Sequence, residues 1–293
     1  MTKFELHLPI ASDQQPIIEL LAKAAARYTP LSNGQIKSAI NNGALWLERN
    51  KRVKRLRKIK KTIISGDTLH FYYDSHVLSL PCLPAKLIED FGDYTVLYKP
   101  SGMPCHGSKW GDHCTITRWA ETQLQPQRAA FLVHRLDKAA SGLILLAHSK
   151  KAARALSKIF ENRTITKRYQ IIVHGIFNNN NAHIETPIDG KPASTTFACF
   201  DTSSASNLSL LDVNIDTGRK HQIRKHAASI GFPIVGDRLH GQANEHTSID
   251  LQLTAVYLNF LCPLTEQTRE ISLATTLRPN LNAIAKNIID IQH

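Results

Sequence analysis

The sequence is short of acidic residues, has few cysteines and contains no long apolar run. Its 293 residues include 24 Asp or Glu against 36 Lys or Arg. The cysteines number five and are scattered, which argues against a disulfide framework and favours reduced thiols. No stretch approaches the ~20 apolar residues that a membrane-spanning helix needs, and the first residues lack the basic-then-apolar order of a signal peptide. We therefore expect a cytoplasmic protein with no membrane partner.

The sequence does have ample apolar content and a concentrated positive charge. Hydrophobic residues make up 42% of the chain, enough for one large core and a smaller second domain. The formal net charge is +12, and nine cations lie in the segment RNKRVKRLRKIKK, residues 49–61, here called the basic segment. They are Arg49, Lys51, Arg52, Lys54, Arg55, Arg57, Lys58, Lys60 and Lys61. Such a dense block repels itself unless it meets a polyanion, which favours nucleic acid over a solvated loop or a membrane-surface patch.

Apolar spacing predicts two helices and a hairpin around the basic segment. Residues 14–28 carry apolar positions at helical spacing. Ser32 is placed to cap a second helix, which Asn42 and Gly43 would end. Two strands are predicted on either side of the basic segment, at 44–48 and 68–73.

This order resembles the small RNA-binding fold named after a ribosomal small-subunit protein. GALWL and IISGDTL occupy the usual strand and turn positions of that fold, although Asn33 stands where an arginine is common. The resemblance predicts a basic RNA-binding domain at 14–74. Residues 75–88, which contain two prolines, are predicted to be a linker, and a larger domain is predicted at 89–293.

The larger domain is predicted to be α+β. A strand at 95–98 runs into the turn Pro-Ser-Gly-Met-Pro, and residues 143–147 are apolar without alternation, as in a strand buried on both faces. Ser149 is placed to cap a helix, and further strands are predicted at 168–174 and 210–216. Because strands and helices do not alternate strictly, we expect a mixed, mainly antiparallel central sheet flanked by helices.

Three segments of this domain carry a family resemblance. HRLDKAASGL (134–143), KRYQIIVHG (167–175) and TGRKHQIRKH (217–226), followed by GFPIVGDRLHG (231–241), are similar to the RluA-type RNA pseudouridine synthases that act on rRNA and tRNA. The resemblance runs from about Asp90 to the C terminus. It implies that 89–293 is a catalytic domain with the pseudouridine synthase fold. One departure is Ala140, where the family usually has threonine.

The resemblance also implies a chemistry. Pseudouridine formation breaks the nitrogen-glycosidic bond of a uridine, turns the base and rejoins it through carbon five, so the expected cofactors and metals are none. Asp137 is the implied catalytic group, either as a nucleophile or as the base that removes the 2′ proton of the sugar. Arg224 matches the arginine that pairs with this aspartate and keeps it ionised. A plain surface ion pair between Asp137 and its neighbours is the alternative reading of the residues alone.

The same resemblance assigns substrate-binding roles. Tyr169 matches the aromatic residue on which the target base stacks, and Ile223 the aliphatic residue on its other side. Arg135 resembles the residue that fills the gap left by a flipped nucleotide. His134 is expected at the site, where it and His221 are interpreted as holding backbone turns by hydrogen bonds. Two further cations are expected to contact phosphate, Arg219 and Lys220.

The implied function is isomerisation of uridines in structured RNA by a monomeric enzyme, with 23S rRNA favoured and tRNA the alternative. A non-catalytic RNA-binding factor on the same scaffold is the competing class of function. The competing chemistry is a zinc site at Cys105, His106, His113 and Cys114. Because the adjacent Cys-His and His-Cys pairs lack the gap that lets neighbouring ligands converge, we expect no metal there.

Overall fold

The computed structural model describes residues 2–178, 181–241 and 249–292 and divides into two compact units. The first unit is Met1–Leu83 with His106–Trp119, and the second is Pro84–Cys105 with Ala120–His293. No helix in the described ranges combines the length and apolarity needed to cross a bilayer.

The units contain fourteen strands and seven helices among the described residues. The strands are β1 (Lys3–Pro9), β2 (Leu45–Arg49), β3 (Arg52–Arg55), β4 (Thr68–Asp74), β5 (Lys86–Asp90), β6 (Tyr94–Lys99), β7 (Phe131–Leu132), β8 (Ser141–Ala147), β9 (Ile165–His174), β10 (Asn181–Ile184), β11 (Thr195–Ser203), β12 (Leu208–Ile215), β13 (Leu253–Leu261) and β14 (Thr268–Ser272). The helices are α1 (Ile17–Ala25), α2 (Asn33–Asn41), α3 (Ser75–Leu78), α4 (Ile116–Gln123), α5 (Lys150–Glu161), α6 (Gln222–Ser229) and α7 (Leu281–Gln292).

The first unit is a four-stranded antiparallel sheet in the order β1-β4-β2-β3, joined by α1 and α2 in one core. The two predicted helices are confirmed. Ser32 caps α2 through a reciprocal pair of bonds with Gln35, which satisfies donors that the first helical turn would otherwise leave open. The strand β1 was not predicted, although Phe4 and Leu6 alternate with exposed residues as in a half-buried strand.

The bounds of the first unit differ from the predicted 14–74. β1 pairs with β4 along its whole length, so the unit begins near residue 3. It also includes residues 106–119, where Asp112 accepts hydrogen bonds from Arg57 and pairs with Arg55. The predicted linker contains α3 and the start of β5. A later segment returning to an earlier sheet produces no local pattern, and therefore the sequence did not indicate it.

The second unit is built on a ten-stranded mixed sheet. Eight strands follow the order β10-β11-β12-β9-β13-β8-β6-β5, while β14 pairs with β13 and β7 with β8. Pairing among these described strands is antiparallel except between β8 and β13. The α+β class with a mainly antiparallel sheet is thus confirmed. The helix α5, capped by Ser149 as predicted, lies against β8, and α7 lies against β11 and β12.

One glycine allows two central strands to meet. Gly142, the second residue of β8, has φ +113°, and a Cβ there would lie 2.3 Å from the carbonyl oxygen of Ala255 on β13. A side chain at this position would therefore push the only parallel pair of the described sheet apart. The loop that ends at β8, residues 134–140, is fixed in this way at its C-terminal end.

Candidate active site

Asp137 lies in a cleft of the second unit. The cleft, here called the Asp137 cleft, has a volume of about 740 Å³ and is also lined by Arg135, Tyr169 and Lys220. A smaller pocket of about 100 Å³ shares Asp137 and Tyr169 and adds Arg224. The loop before β8, the strand β9, and the helix α6 with the turn before it supply these residues, so elements distant in sequence converge on one carboxylate.

Arg224 is held between two carboxylates. Its Nη1 lies 3.4 Å from Oδ2 of Asp137. Its Nε and Nη2 donate to the two oxygens of Asp237, at 2.8 and 2.6 Å. Arg224 and Asp237 are 4% and 1% exposed, so this fork-to-fork pair is withdrawn from water. The pair fixes the plane of the guanidinium and turns one N–H edge towards Asp137.

The charges of this pair are stabilised by their surroundings. Burial raises the pKa of Asp237, but hydrogen bonds from Arg224 and from the amides of His240 and Leu239 outweigh it, and the pKa lies below its usual value. Burial likewise opposes the charge of Arg224, and the carboxylates of Asp237 and Asp137 more than compensate, so its pKa is raised. Arg224 therefore stays a cation beside Asp137.

A second set of contacts holds the backbone of the 134–140 loop. The ammonium of Lys99 is fully buried and donates to four carbonyl oxygens, at 2.5 to 3.2 Å, two of which belong to Lys138 and Ala140. Ser101 donates its hydroxyl to the carbonyl of Ala139. Burial lowers the pKa of Lys99 to about 8 despite the attraction of nearby Cys105 and Asp137. The turn after β6 thus clamps the loop that carries Asp137.

The predicted base-binding residues lie on the walls of the pocket. Tyr169 on β9 is half-buried, and Ile223 on α6 is 5% exposed. Burial, with the charge of Asp137 adding to it, raises the pKa of the Tyr169 phenol, which is therefore neutral at physiological pH. Ile215 and Leu253 also line the pocket. An apolar slot beside a carboxylate can hold a flat, uncharged ring.

The two histidines of the motifs have different roles. Nε2 of His134 accepts the backbone N–H of Leu145 at 2.9 Å, as expected of a residue that holds a turn, and its ring stacks on Phe160. Burial lowers the pKa of His134 to about 3, so it is neutral. His221 was expected to do the same but does not. Its Nδ1 lies 3.0 Å from Nε2 of His240, and its Nε2 lies 3.9 Å from Oδ2 of Asp137.

The predicted cations of the cleft differ in their exposure and in their hydrogen bonds within the protein. Arg135 and Lys220 are exposed on the lining of the Asp137 cleft. Arg219 is half-buried, and its Nε donates to the carbonyl of Pro192 at 2.9 Å. Part of its donor capacity is therefore used inside the protein. The cleft also contains Arg163 and Lys167, which the sequence analysis did not single out.

In the first unit, three predicted RNA contacts are engaged within the protein. Arg49 forms a two-bond pair with the buried carboxylate of Asp67, at 2.7 and 2.6 Å. Arg55 lies over the ring of Trp46, 4.2 Å from its centroid, and pairs with Asp112. Arg57 also bonds to Asp112. Part of the donor capacity of these three is therefore used inside the first unit, since a guanidinium fork matches the geometry of a carboxylate, and their contact with RNA stays a prediction.

The remaining cations of the basic segment are exposed. They are Lys51, Arg52, Lys54, Lys58, Lys60 and Lys61. Arg52, Lys54 and Lys61 line a concave surface of about 510 Å³ on the first unit. A concave surface with several unburied cations attracts a polyanion more strongly than scattered charges do.

Asp237 and Lys99 were not predicted from the sequence. Asp237 holds Arg224, and Lys99 holds the backbone of the 134–140 loop. Asp237 was within a quoted motif, GFPIVGDRLHG, but received no role. The structure shows why its position is fixed: Asp237 follows a glycine that approaches another backbone closely. A Cβ on Gly236 would lie 2.4 Å from the carbonyl oxygen of Asp250. Lys99, at the end of an apolar strand, gave no signal in the sequence.

Known proteins resemble the chain in sequence and in fold. The family model described as RNA pseudouridylate synthase matches residues 93–229. An uncharacterized RNA pseudouridine synthase of Bacillus subtilis is 31% identical over 223 residues, 64% of this chain and 71% of that protein. One of Aquifex aeolicus is 28% identical and covers 80% of each chain. Ribosomal large subunit pseudouridine synthase C of Vibrio vulnificus is 32% identical over 60% of this chain and 61% of its own.

Among solved structures, human RNA pseudouridylate synthase domain containing 1 has a TM-score of 0.58 at 20% identity, covering 70% of this chain and 95% of that one. At this identity the likeness supports the fold. Three findings point to the same family. They are the extent of the sequence match to the Bacillus protein, the match of the family model to residues 93–229, and the shared fold. The chain therefore belongs to the RluA-type family of RNA pseudouridine synthases, enzymes that isomerise uridine in RNA to pseudouridine.

Proposed function

We propose that Asp137 is the catalytic group of this enzyme and that its substrate is a uridine in structured RNA of the large ribosomal subunit. The observation that carries the proposal is the arrangement of Asp137, Arg224 and Tyr169 around one pocket, with Arg224 fixed from behind by Asp237. Relatives named for the large ribosomal subunit favour 23S rRNA over tRNA.

In this proposal the Asp137 carboxylate acts at the sugar and Arg224 orients it. The guanidinium lies 3.4 Å from the carboxylate, and Asp137 either attacks C1′ or removes the 2′ proton. The bond from N1 to C1′ breaks, the base turns, and C5 bonds to C1′ as the bond from Asp137 to C1′ breaks or as the 2′ proton returns to C2′. The proton on C5 leaves, and N1 regains one, so no atom is gained or lost overall.

Tyr169 and Ile223 hold the base while it turns. A neutral phenol ring on one wall and an aliphatic side chain on another provide apolar surface without a fixed hydrogen-bond pattern, which lets a detached base rotate between them. The glycosidic bond of a stacked uridine is out of reach, so the nucleotide must leave its helix, and exposed Arg135 is placed to occupy the gap. Lys220 and Arg219 contribute contacts to phosphate.

The first unit supplies RNA affinity in this proposal. The exposed cations of the basic segment meet phosphates, and binding releases condensed counterions. This role needs no chemistry at the bound site. It follows that the two units separate docking from isomerisation.

The test is a pseudouridine map of total rRNA and tRNA from cells with and without the gene, complemented by the wild type or by Asp137→Asn. We expect one or a few sites in 23S rRNA to disappear, and only the wild type to restore them. Restoration by Asp137→Asn would overturn the role of Asp137. Loss of sites in tRNA alone would overturn the proposed substrate, and no change in either RNA would favour a non-catalytic RNA-binding factor.

A further inference from the structure

A cluster of metal-ligand side chains lies in the first unit and takes no part in the proposed isomerisation. A ring nitrogen of His113 and the sulfurs of Cys82 and Cys114 all lie within 4.8 Å of one another. Cys82 follows α3, and the other two residues form the turn before α4. This set, here called the Cys82 cluster, replaces the four-residue set considered from the sequence, because Cys105 bonds instead to the backbone of Leu136.

The separation of the two sulfurs suits a shared metal ion. Cys82 Sγ and Cys114 Sγ are 3.5 Å apart. Two thiolates bound to one zinc at about 2.3 Å each, with a tetrahedral angle between them, lie about 3.8 Å apart. A disulfide would require about 2.05 Å, so the pair is close to the spacing of two ligands and far from that of a bond.

One ring nitrogen of His113 is hydrogen-bonded and the other is not, within the part of the chain that the structure describes. Its Nε2 lies 3.1 Å from the carbonyl oxygen of Leu80, to which a protonated nitrogen can donate. Its Nδ1 is buried and has no hydrogen-bond partner among the described residues. A bond from one ring nitrogen to a carbonyl fixes the tautomer and orients the ring, which leaves a lone pair for a metal. A buried polar nitrogen without a partner is costly unless something occupies it.

The turn before α4 removes the objection to adjacent ligands. Side chains of neighbouring residues diverge in a strand, but His113 and Cys114 lie in a turn, and their ligand atoms and that of Cys82 lie within 4.8 Å of one another. The Cys114 thiol also donates to the Leu80 carbonyl at 3.1 Å, a bond that is given up when the thiol loses its proton on binding a metal. Cys82 is exposed, which gives an ion a route from solvent.

We propose that Cys82, His113 and Cys114 bind one Zn²⁺, with the fourth position held by solvent. Two soft thiolates and an imidazole select zinc over hard cations such as Mg²⁺ or Ca²⁺. Binding displaces the two thiol protons to solvent, so the dication and two thiolates are neutral together. The ion would tie residue 82 to residues 113 and 114, and so would join the two chain segments that make up the first unit.

The experiment measures metal on the full-length protein, purified without chelator and without a metal-affinity step. We expect about one zinc per chain in the wild type, as for other sites with three protein ligands. Cys82→Ser, His113→Ala and Cys114→Ser should each lose most of the metal. Cys199→Ser, which changes a partly buried cysteine of β11 in the second unit, should retain it.

A second measurement does not depend on how the variants fold. After removal of zinc, Co²⁺ is added to the wild type, and a thiolate-to-cobalt charge-transfer band with tetrahedral d–d bands is expected, reversed by added zinc. Absence of both bound zinc and this spectrum would overturn the site. A Cys82–Cys114 disulfide in freshly purified protein, found by mass spectrometry together with no metal binding, would overturn it in favour of a redox pair. Neither measurement involves isomerase activity.

Discussion

Arg224 and the exposed cations of the basic segment carry the same charge and are used in opposite ways. Arg224 is buried, and its N–H groups face Asp237 and Asp137. Arg52, Lys54 and Lys61 line an open surface of the first unit. The buried cation orients one carboxylate. The exposed cations are not held in one orientation, so they attract phosphates without orienting them.

This difference shows why a count of positive residues does not predict an RNA surface. Arg49, Arg55 and Arg57 lie within the basic segment, yet they bond to Asp67 and Asp112 inside the first unit. The three paired cations are arginines, whose fork of donors suits a carboxylate, while Arg52 is exposed. Every lysine of the basic segment is exposed, in agreement with this division.

The largest effect is expected from Asp137→Asn, which should separate the rate of isomerisation from the affinity for RNA. The substitution removes the catalytic charge but no phosphate contact, so isomerisation should fall by at least about a thousandfold while RNA affinity changes less than about twofold. Single-turnover assays and filter binding on the same transcript measure both quantities. Lys138→Gln, an exposed neighbour, is the control and should retain activity. A parallel loss of affinity and activity would contradict the division.

The next largest effect is expected from Asp237→Asn, which leaves buried Arg224 without its principal counter-charge. We expect a loss of about 3–5 kcal/mol in the free energy of unfolding, measured with denaturant, because an uncompensated buried charge is costly. The control is Asp189→Asn, which removes a surface pair with Lys225 at 3.1 Å and should cost less than about 1 kcal/mol. Equal costs for the two variants would show that burial does not distinguish these pairs.

A smaller effect is expected from replacing Arg52, Lys54 and Lys61 by glutamine together. Three lost phosphate contacts should reduce the slope of log affinity against log salt by up to about 2–3, with little change in the rate of isomerisation in the bound complex. The control replaces three exposed lysines of the second unit, Lys86, Lys191 and Lys286, by glutamine and removes the same charge. If both triple variants change the slope alike, net charge rather than the concave surface governs binding.

The smallest effect concerns the pH dependence of stability and compares the buried ring of His134 with an exposed histidine. The pKa of His134 is about 3 in the folded protein and about 6.5 in an unfolded chain, so the unfolded state binds more protons between these values. Stability should therefore decline as pH falls below about 6.5, by up to about 1.4 kcal/mol per pH unit. His134→Gln should flatten this dependence between pH 6.5 and 5, whereas exposed His183→Gln should not. Denaturant midpoints across this range provide the measurement, and three identical slopes would refute the assignment.

Much of the fold was predictable because its signals are local. Ser32 and Ser149 cap the helices that the sequence indicates, and the apolar run at 143–147 forms a strand buried on both faces. The missed elements have weaker patterns. β3 is a short strand of charged and β-branched residues inside the basic segment, and its backbone pairing with β2 overrides a composition typical of a loop.

The site was predictable only as far as its motifs reach. The motifs named Asp137, Tyr169 and Arg224, and the structure brings these three to one pocket. Their roles in catalysis remain predictions. Lys99 and His240 were missed because their contacts join distant segments: Lys99 reaches the 134–140 loop, and His240 reaches His221. Periodicity and spacing contain no information about such long-range polar contacts.

The discontinuous first unit has a consequence for how this protein can be recombined with others. Residues 106–119 supply Asp112 to Arg55 and Arg57, and Lys109 to Glu5. A gene fragment ending at residue 83 would encode the four strands and the helices α1, α2 and α3 of this unit but not these partners. A graft onto another protein would therefore need both segments, joined across the excised residues 84–105. The part of this protein that could be transferred is therefore defined by its contacts in three dimensions and is not one continuous stretch of the gene.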